Sequence, residues 1–253
     1  MQMKMGLSVL PFVILAAVVV AVGSTAASGG ALYGLVMVHN GPQESALATL
    51  DPATATIRVL TDAPFKTLVG PGDLQVIDAR RKVLYFVGEG PGRTTTLVGV
   101  HLADGSQACA GTAPLLQLGF VGFGISLDID AQRDRLIVTG IANGTAGPEH
   151  HALSVPLAGI GCGPFTQLGR FGDADSAPGL HGSSLDVAGN RLFLVLMPSG
   201  GEVALVSVDL GSFEITKVVP DSGRGPDYLV GFSWDERNQS LVGLSQISGG
   251  SWC

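Results

Sequence analysis

SLDIDAQRDRLIV, residues 126–138, returns in altered form elsewhere in the chain. QVIDARRKVLYFV starts at Gln75, SSLDVAGNRLFLV at Ser183 and FSWDERNQSLVGL at Phe232. Aligned on Asp78, Asp130, Asp186 and Asp235, each stretch carries a leucine six positions on: Leu84, Leu136, Leu192 and Leu241. The aspartates are spaced by 52, 56 and 49 residues. A second mark recurs in between, as TLDP at Thr49, VHL at Val100, VPL at Val155 and VDL at Val208. Counted from Leu50, its steps are 50, 55 and 53. Two marks sharing one period, always in the same order, indicate a repeat architecture, and periods of about 50 residues belong to solenoids and propellers.

Each mark has a local physical meaning. A short apolar strand precedes each aspartate and another follows each leucine, with polar turn residues between them, so the pair reads as a β-hairpin. The aspartate can accept hydrogen bonds from backbone amides just ahead of it and so start the turn. VLYFVG, RLIVTG and RLFLVL are nearly continuous apolar runs. Such strands are expected to be buried on both faces, as when sheets stack face to face. The second mark is a strand closing in turn residues (LDPATAT, HLADGSQ, DLGSFEI), followed by a weaker outer strand such as TIRVL or EITKVV. Helical periodicity is absent after the N-terminal segment.

Four strands per repeat of about 50 residues is the pattern of a β-propeller blade. DARRKVLYFV, DAQRDRLIV, DVAGNRLFLV and LDPATATIRVL resemble the blades of the broad class of YVTN-like or quinoprotein-like propellers, over residues 32–247. The YVTN tetrapeptide itself is absent, as is the tryptophan docking motif of quinoprotein dehydrogenases. The resemblance implies an all-β propeller of four-stranded antiparallel blades and implies little about activity. We place the blades roughly at 31–60, 68–118, 121–170, 180–220 and, in part, 228–253. LYGLVMV near the start and LVGLSQI near the end both read as second strands. The expectation is about four blades here, in a ring completed by blades beyond this chain.

The first residues stand apart from the repeat. Lys4, the apolar run 7–22 and the small residues 23–27 follow the order of a secretory signal peptide cut near Ala26 or Ala27. If uncleaved, the same run would anchor the chain to a membrane. Residues 28–253 are then the repeat domain, secreted or at the cell surface. The formal net charge is −7 and no basic cluster occurs, which argues against a nucleic-acid partner. Cys109, Cys162 and Cys253 make an odd count, which leaves at least one thiol unpaired within the chain. Cys109 and Cys162 follow equivalent strands of neighbouring repeats, but three pairings exist and the sequence does not choose among them. Asn143-Gly-Thr and Asn238-Gln-Ser are glycosylation sequons in expected loops.

Chemistry on such a scaffold belongs in the loops that gather on one face. Those entering each blade are expected at 61–73, 117–124, 170–182 and 219–230. Those between second and third strands are expected at 88–95, 140–151 and 198–202. In RFGDADSAPGLHG, the residues Asp173, Asp175 and His181 can supply a carboxylate-rich cation site, the aspartates giving the oxygen ligands that calcium takes, although turn-forming aspartates account for the same pattern. In PDSGRGPD, Asp221, Arg224 and Asp227 can form an ion pair, of small consequence if exposed. His150 and His151 are adjacent and point apart on an extended chain, which makes them poor joint metal ligands. No GxSxG elbow or Ser/His/Asp arrangement is visible. The leading expectation is a non-catalytic module binding an extracellular protein or glycan. The alternative is a calcium-dependent hydrolase of lactonase or phytase type, drawing carboxylates from Asp62 or Asp73, Asp173 or Asp175, and Asp221 or Asp227. A degenerate copy without activity is the third possibility.

Overall fold

The computed structural model describes residues 32–37, 44–61, 65–66, 75–115, 125–143, 148–171, 176–198, 204–218, 228–247 and 251–252. Among them, the repeat builds five antiparallel sheets in chain order. The first contains β1 (Leu32–Met37), β2 (Glu44–Asp51), β3 (Thr56–Val59) and the short β4 (Phe65–Lys66), which extends the outer edge of β2. The second contains β5 (Gln75–Asp78), β6 (Val83–Glu89), β7 (Thr95–His101) and β8 (Gln107–Thr112). The third runs β9 (Ser126–Asp130), β10 (Arg135–Asn143), β11 (Pro148–Pro156) and β12 (Thr166–Arg170). The fourth runs β13 (Ser176–Asp186), β14 (Arg191–Pro198), β15 (Ala204–Asp209) and β16 (Ile215–Lys217). The last holds β17 (Tyr228–Asp235), β18 (Ser240–Ile247) and β19 (Ser251–Trp252). The one helical element among the described residues is a 3₁₀ turn, Pro91–Arg93. None of their helices is long and apolar enough to cross a membrane. The apolar run 7–22 lies outside the described residues.

The register shows why the two sequence marks share one period. Leu32 pairs with Leu50, Leu84 with Val100, Leu136 with Val155 and Leu192 with Val208. Both marks are therefore opposite ends of one rung, repeated sheet by sheet. β1 occupies the second-strand position, as its sequence suggests, and among the described residues pairs with β2 alone. Its Leu35 amide donates to the Gln75 side chain of the second sheet at 3.1 Å. The first strands of successive sheets adjoin: β9 lies beside both β5 and β13, and β13 beside β17. The sheets are thus blades set side by side with their first strands innermost.

Burial on both faces of the second strands follows from this stacking. From Val83 to Gly88, every residue of β6 is buried. Leu84 packs with Leu35 and Leu47 of the first blade, while Tyr85 packs with Leu136 and Val138 of the third. Ile137, on the opposite face of β10 from Leu136, joins Leu192 and Leu194 of the fourth blade. The Tyr85 hydroxyl is enclosed, and burial pushes its pKa up to about 12. Between the second and third blades the fit is close. A side chain on Gly111 would clash with the Cys162 carbonyl oxygen.

One turn geometry serves eight hairpins. Ala55, Lys82, Gly105, Asp134, Ile160, Asn190, Phe213 and Gln239 all have positive φ, and each stands four residues after the last residue of a strand. Asp51, Asp78, Asp130, Asp186, Asp209 and Asp235 close six of those strands. Each of these six carboxylates accepts from amides of its own turn, for example Ala53 N at 2.8 Å for Asp51 and Arg80 N at 2.9 Å for Asp78. Such bonds hold the carboxyls of Asp51 and Asp209 below the usual range, through the amides of Ala53 and Ser212 first. The left-handed position suits glycine, yet seven of the eight are other residues. Ala55→Gly is therefore expected to stabilise the protein by about 1 kcal/mol, a rise of roughly 2–4 °C in Tm for a chain of this size, readable by calorimetry.

Cys109 of β8 and Cys162, in the turn between β11 and β12, form a disulfide with Cα atoms 5.6 Å apart. It ties the outer part of the second blade to the third. Cys253 lies outside the described residues.

Candidate functional site

Two groups of polar side chains stand out once the structural aspartates are set aside. The first lines the seam between inner strands. Asp128 sits in the middle of β9, two residues before the turn aspartate of its blade. It is buried, and its carboxylate accepts a hydrogen bond from the Ser183 hydroxyl of β13 in the next blade. Burial pushes its pKa up to about 6, with the Ser183 bond pulling the other way. The equivalent residue one blade on is Ser184, whose hydroxyl accepts from the Trp234 amide of β17 at 2.7 Å. The same position in consecutive blades thus bonds to the following inner strand. Beside Asp128, the Ser126 and Thr139 hydroxyls meet at 2.6 Å and are buried.

The second group lies at the end of the third blade from which the strand 2–3 loop and the loop to β13 emerge. In β11, Glu149 and His151 share one face, and Arg170 at the end of β12 stands opposite His151. The Glu149 carboxylate accepts from the Arg170 guanidinium at 3.1 Å, and its other oxygen lies 3.6 Å from His151 Nε2. Arg170 is 65 % exposed while Glu149 is only 17 % exposed. The result is a recessed carboxylate holding an outward guanidinium. His150 turns to the opposite face, where its ring stacks on Phe171 at 5.8 Å. The two histidines do point apart, as their adjacency requires.

Two expected loops prove shorter than the sequence implied. The loop expected at 140–151 is strand through Asn143 and again from Pro148, so His150 and His151 are buried strand residues. The cause is packing: His150 stacks on Phe171, and Ala152 joins the cluster between the third and fourth blades. The loop expected at 170–182 is strand from Ser176 onward. There β13 leaves register between Pro178 and Ser183, four residues standing opposite Val195 alone, and His181 belongs to that bulge. Nothing is described of the His181 side chain. Asp62, Asp73, Asp173, Asp175, Asp221, Arg224 and Asp227 lie outside the described residues. Among the described residues, no group of three His, Cys, Asp or Glu side chains is placed to hold a metal ion.

The sequons separate. Asn143 is the last residue of β10 and pairs with Pro148. Asn238 is exposed in the turn after β17, where its side-chain amide donates to Asp235 at 2.6 Å. Asp128 and Ser183 escaped the sequence reading. Their signal was present, because Asp128 is the one acid at a position occupied elsewhere by Val76, Ser184 and Ser233.

No family model matches the chain, and no curated protein matches it in sequence. Solved structures do match in fold. TolB from Acinetobacter baumannii aligns with 86 % of this chain at a TM-score of 0.56 and 16 % identity. Puromycin hydrolase aligns with 88 % of it at 0.51 and 17 % identity. The β-propeller domain of the Trilobed protease from Pyrococcus furiosus aligns with 88 % at 0.48 and 13 % identity. This chain spans 46 % of the TolB chain and 33 % of the hydrolase chain. The fold is a β-propeller.

Proposed function

We propose that this chain is a secreted or cell-surface propeller that binds an extracellular protein or glycan through the loop face of its blades and carries out no catalysis. Likeness at such identities speaks for fold alone, so the choice between recognition and reaction rests on residues. The observation that carries the reading is the Glu149–Arg170 pair. A partly buried carboxylate fixes the direction of an exposed guanidinium at the mouth of two loops. Preorganised arginines of this kind are favoured anchors in recognition surfaces, since little side-chain freedom is lost on binding. The Cys109–Cys162 bridge supports an oxidising compartment, where such bonds persist. The six recurrent strand-closing aspartates, by contrast, are engaged in turns. The calcium-dependent alternative draws its ligands from residues outside the described set, and no described observation favours it.

The full chain, secreted from its host, is to be screened against glycan arrays and extracellular proteins, and the captured ligand retested with Arg170→Ala. Loss of a charge-assisted hydrogen bond is expected to weaken binding by about 10- to 100-fold with Tm unchanged. EDTA is expected to leave Tm where it was. A fall of several degrees restored by calcium, together with EDTA-sensitive hydrolysis of lactones or phytate, would overturn the reading, because an ion held only by the native state raises its melting point.

A further inference from the structure

The inner seam between the third and fourth blades contains an ionisable group that ligand recognition at Arg170 does not use. Asp128 and Ser183 face one another across that seam, each on the innermost strand of its blade. Among the described residues β9 pairs with β10 alone, and β13 of the next blade lies beside it. Just before Ser183, β13 departs from β14 over four residues that begin with Gly179 and end with Gly182. Ser183 itself pairs with Leu194, so the bond stands where the ladder resumes, directly after four residues that have no rung of their own.

We propose that Asp128 and Ser183 form a proton-sensitive latch between the third and fourth blades, closed while Asp128 is neutral and loosened when it ionises. A neutral carboxyl meets its hydroxyl partner at little cost in a buried seam. An ionised one sits there with a single hydroxyl donor and no cation beside it among the described residues, an arrangement that favours opening toward water. The charged groups on the surrounding elements are already engaged. On β9 itself Asp130 is held by Arg133 and by Arg135 of β10, on β13 Asp186 is held by Arg191, and on β5 Asp78 is held by Arg81. None of them registers as a charge acting on the Asp128 carboxyl, whose shift comes from burial opposed by the Ser183 bond.

The sign follows from the raised pKa. An acid that holds its proton more tightly when folded contributes stability that is complete below about pH 4 and is lost as pH rises through about 6. For the intact protein, the folding equilibrium measured relative to Asp128→Asn is expected to weaken on the order of 50-fold between pH 4 and pH 7. Hydrogen exchange followed by mass spectrometry, corrected for intrinsic rates, locates the change. Peptides spanning 126–130 and 183–186 should lose protection between pH 5 and pH 7.5 in the wild type and keep it in Asp128→Asn. Equal loss in both proteins would overturn the latch. Ser183→Ala supplies a second reading should Asp128→Asn fold poorly. It removes a bond that lowers the pKa, so the midpoint should move upward, whereas a merely structural serine would cut protection at every pH without moving the midpoint.

Discussion

Replacing both Cys109 and Cys162 by alanine is expected to lower the free energy of unfolding by about 4 kcal/mol, the chain-entropy value for a loop closed over their separation of 53 residues. The loop contains the outer strand of the second blade and the first three strands of the third. In the unfolded chain the bond holds together segments that otherwise separate freely. In the folded chain it lies where the blades already touch closely, since Gly111 of β8 has no room for a side chain beside the Cys162 carbonyl. Cys162 is itself buried, so its truncation adds a small cavity cost in the same direction. Urea denaturation of the double variant against the oxidised wild type measures the sum. Reduction of the wild type should reproduce most of it. A loss below about 1 kcal/mol would mean that the packed seam alone restrains both blades and that the bond is redundant.

Most of the architecture was legible because it repeats. A single blade motif is a weak signal, but Leu84, Leu136 and Leu192 recur at one offset from an aspartate and prove to be one rung of one ladder. The turn role of the aspartate was legible from its chemistry, since a short carboxylate before polar residues has amides within reach. The left-handed residue was harder to see. Glycine ordinarily marks that position, and here Lys82, Asp134, Asn190 and Gln239 fill it, at a cost the surrounding hairpin offsets. The disulfide was one of three pairings until the blades were placed side by side. The loop length was misjudged at 140–151 because polar residues such as His150 read as exposed, whereas they are buried, and at 170–182 because the bulge between Pro178 and Ser183 lets β13 start at Ser176. Asp128 was missed for a related reason. Its importance comes from Ser183 in the next blade, 55 residues away, and no pattern local to either strand contains that contact.

Asp130→Ala is the other change with a large expected effect, a loss of about 3–5 kcal/mol. Asp130 is 1 % exposed and ends the inner strand of the third blade. One carboxylate oxygen accepts from the Arg133 amide at 3.1 Å, while the other accepts from the Arg133 and Arg135 guanidinium groups at 3.1 and 3.0 Å. Removing it leaves a turn amide without its acceptor and a partly buried Arg135 without its counter-charge, and an uncompensated buried charge is the costly outcome. The turn is also where blades meet. Arg81 of the second blade bonds both Asp78 at 2.8 Å and Asp134 at 2.7 Å, and these two carboxylates raise its pKa further above its ordinary value. A third-blade turn that shifts when Asp130 is lost carries Asp134 with it and loosens that bridge. The test separates turn from charge. Asp130→Asn keeps an acceptor for the amide while discarding the charge, so it should fall between wild type and Asp130→Ala. Asp235→Ala, which removes the corresponding residue from an exposed turn where the partners are Asn238 and two backbone amides, should cost far less. Thermal unfolding is expected to place Asp130→Ala roughly 10 °C below wild type, at about 2–4 °C per kcal/mol for a chain of this length. Equal losses at Asp130 and Asp235 would show that the aspartate acts through the turn alone, with the arginines contributing nothing.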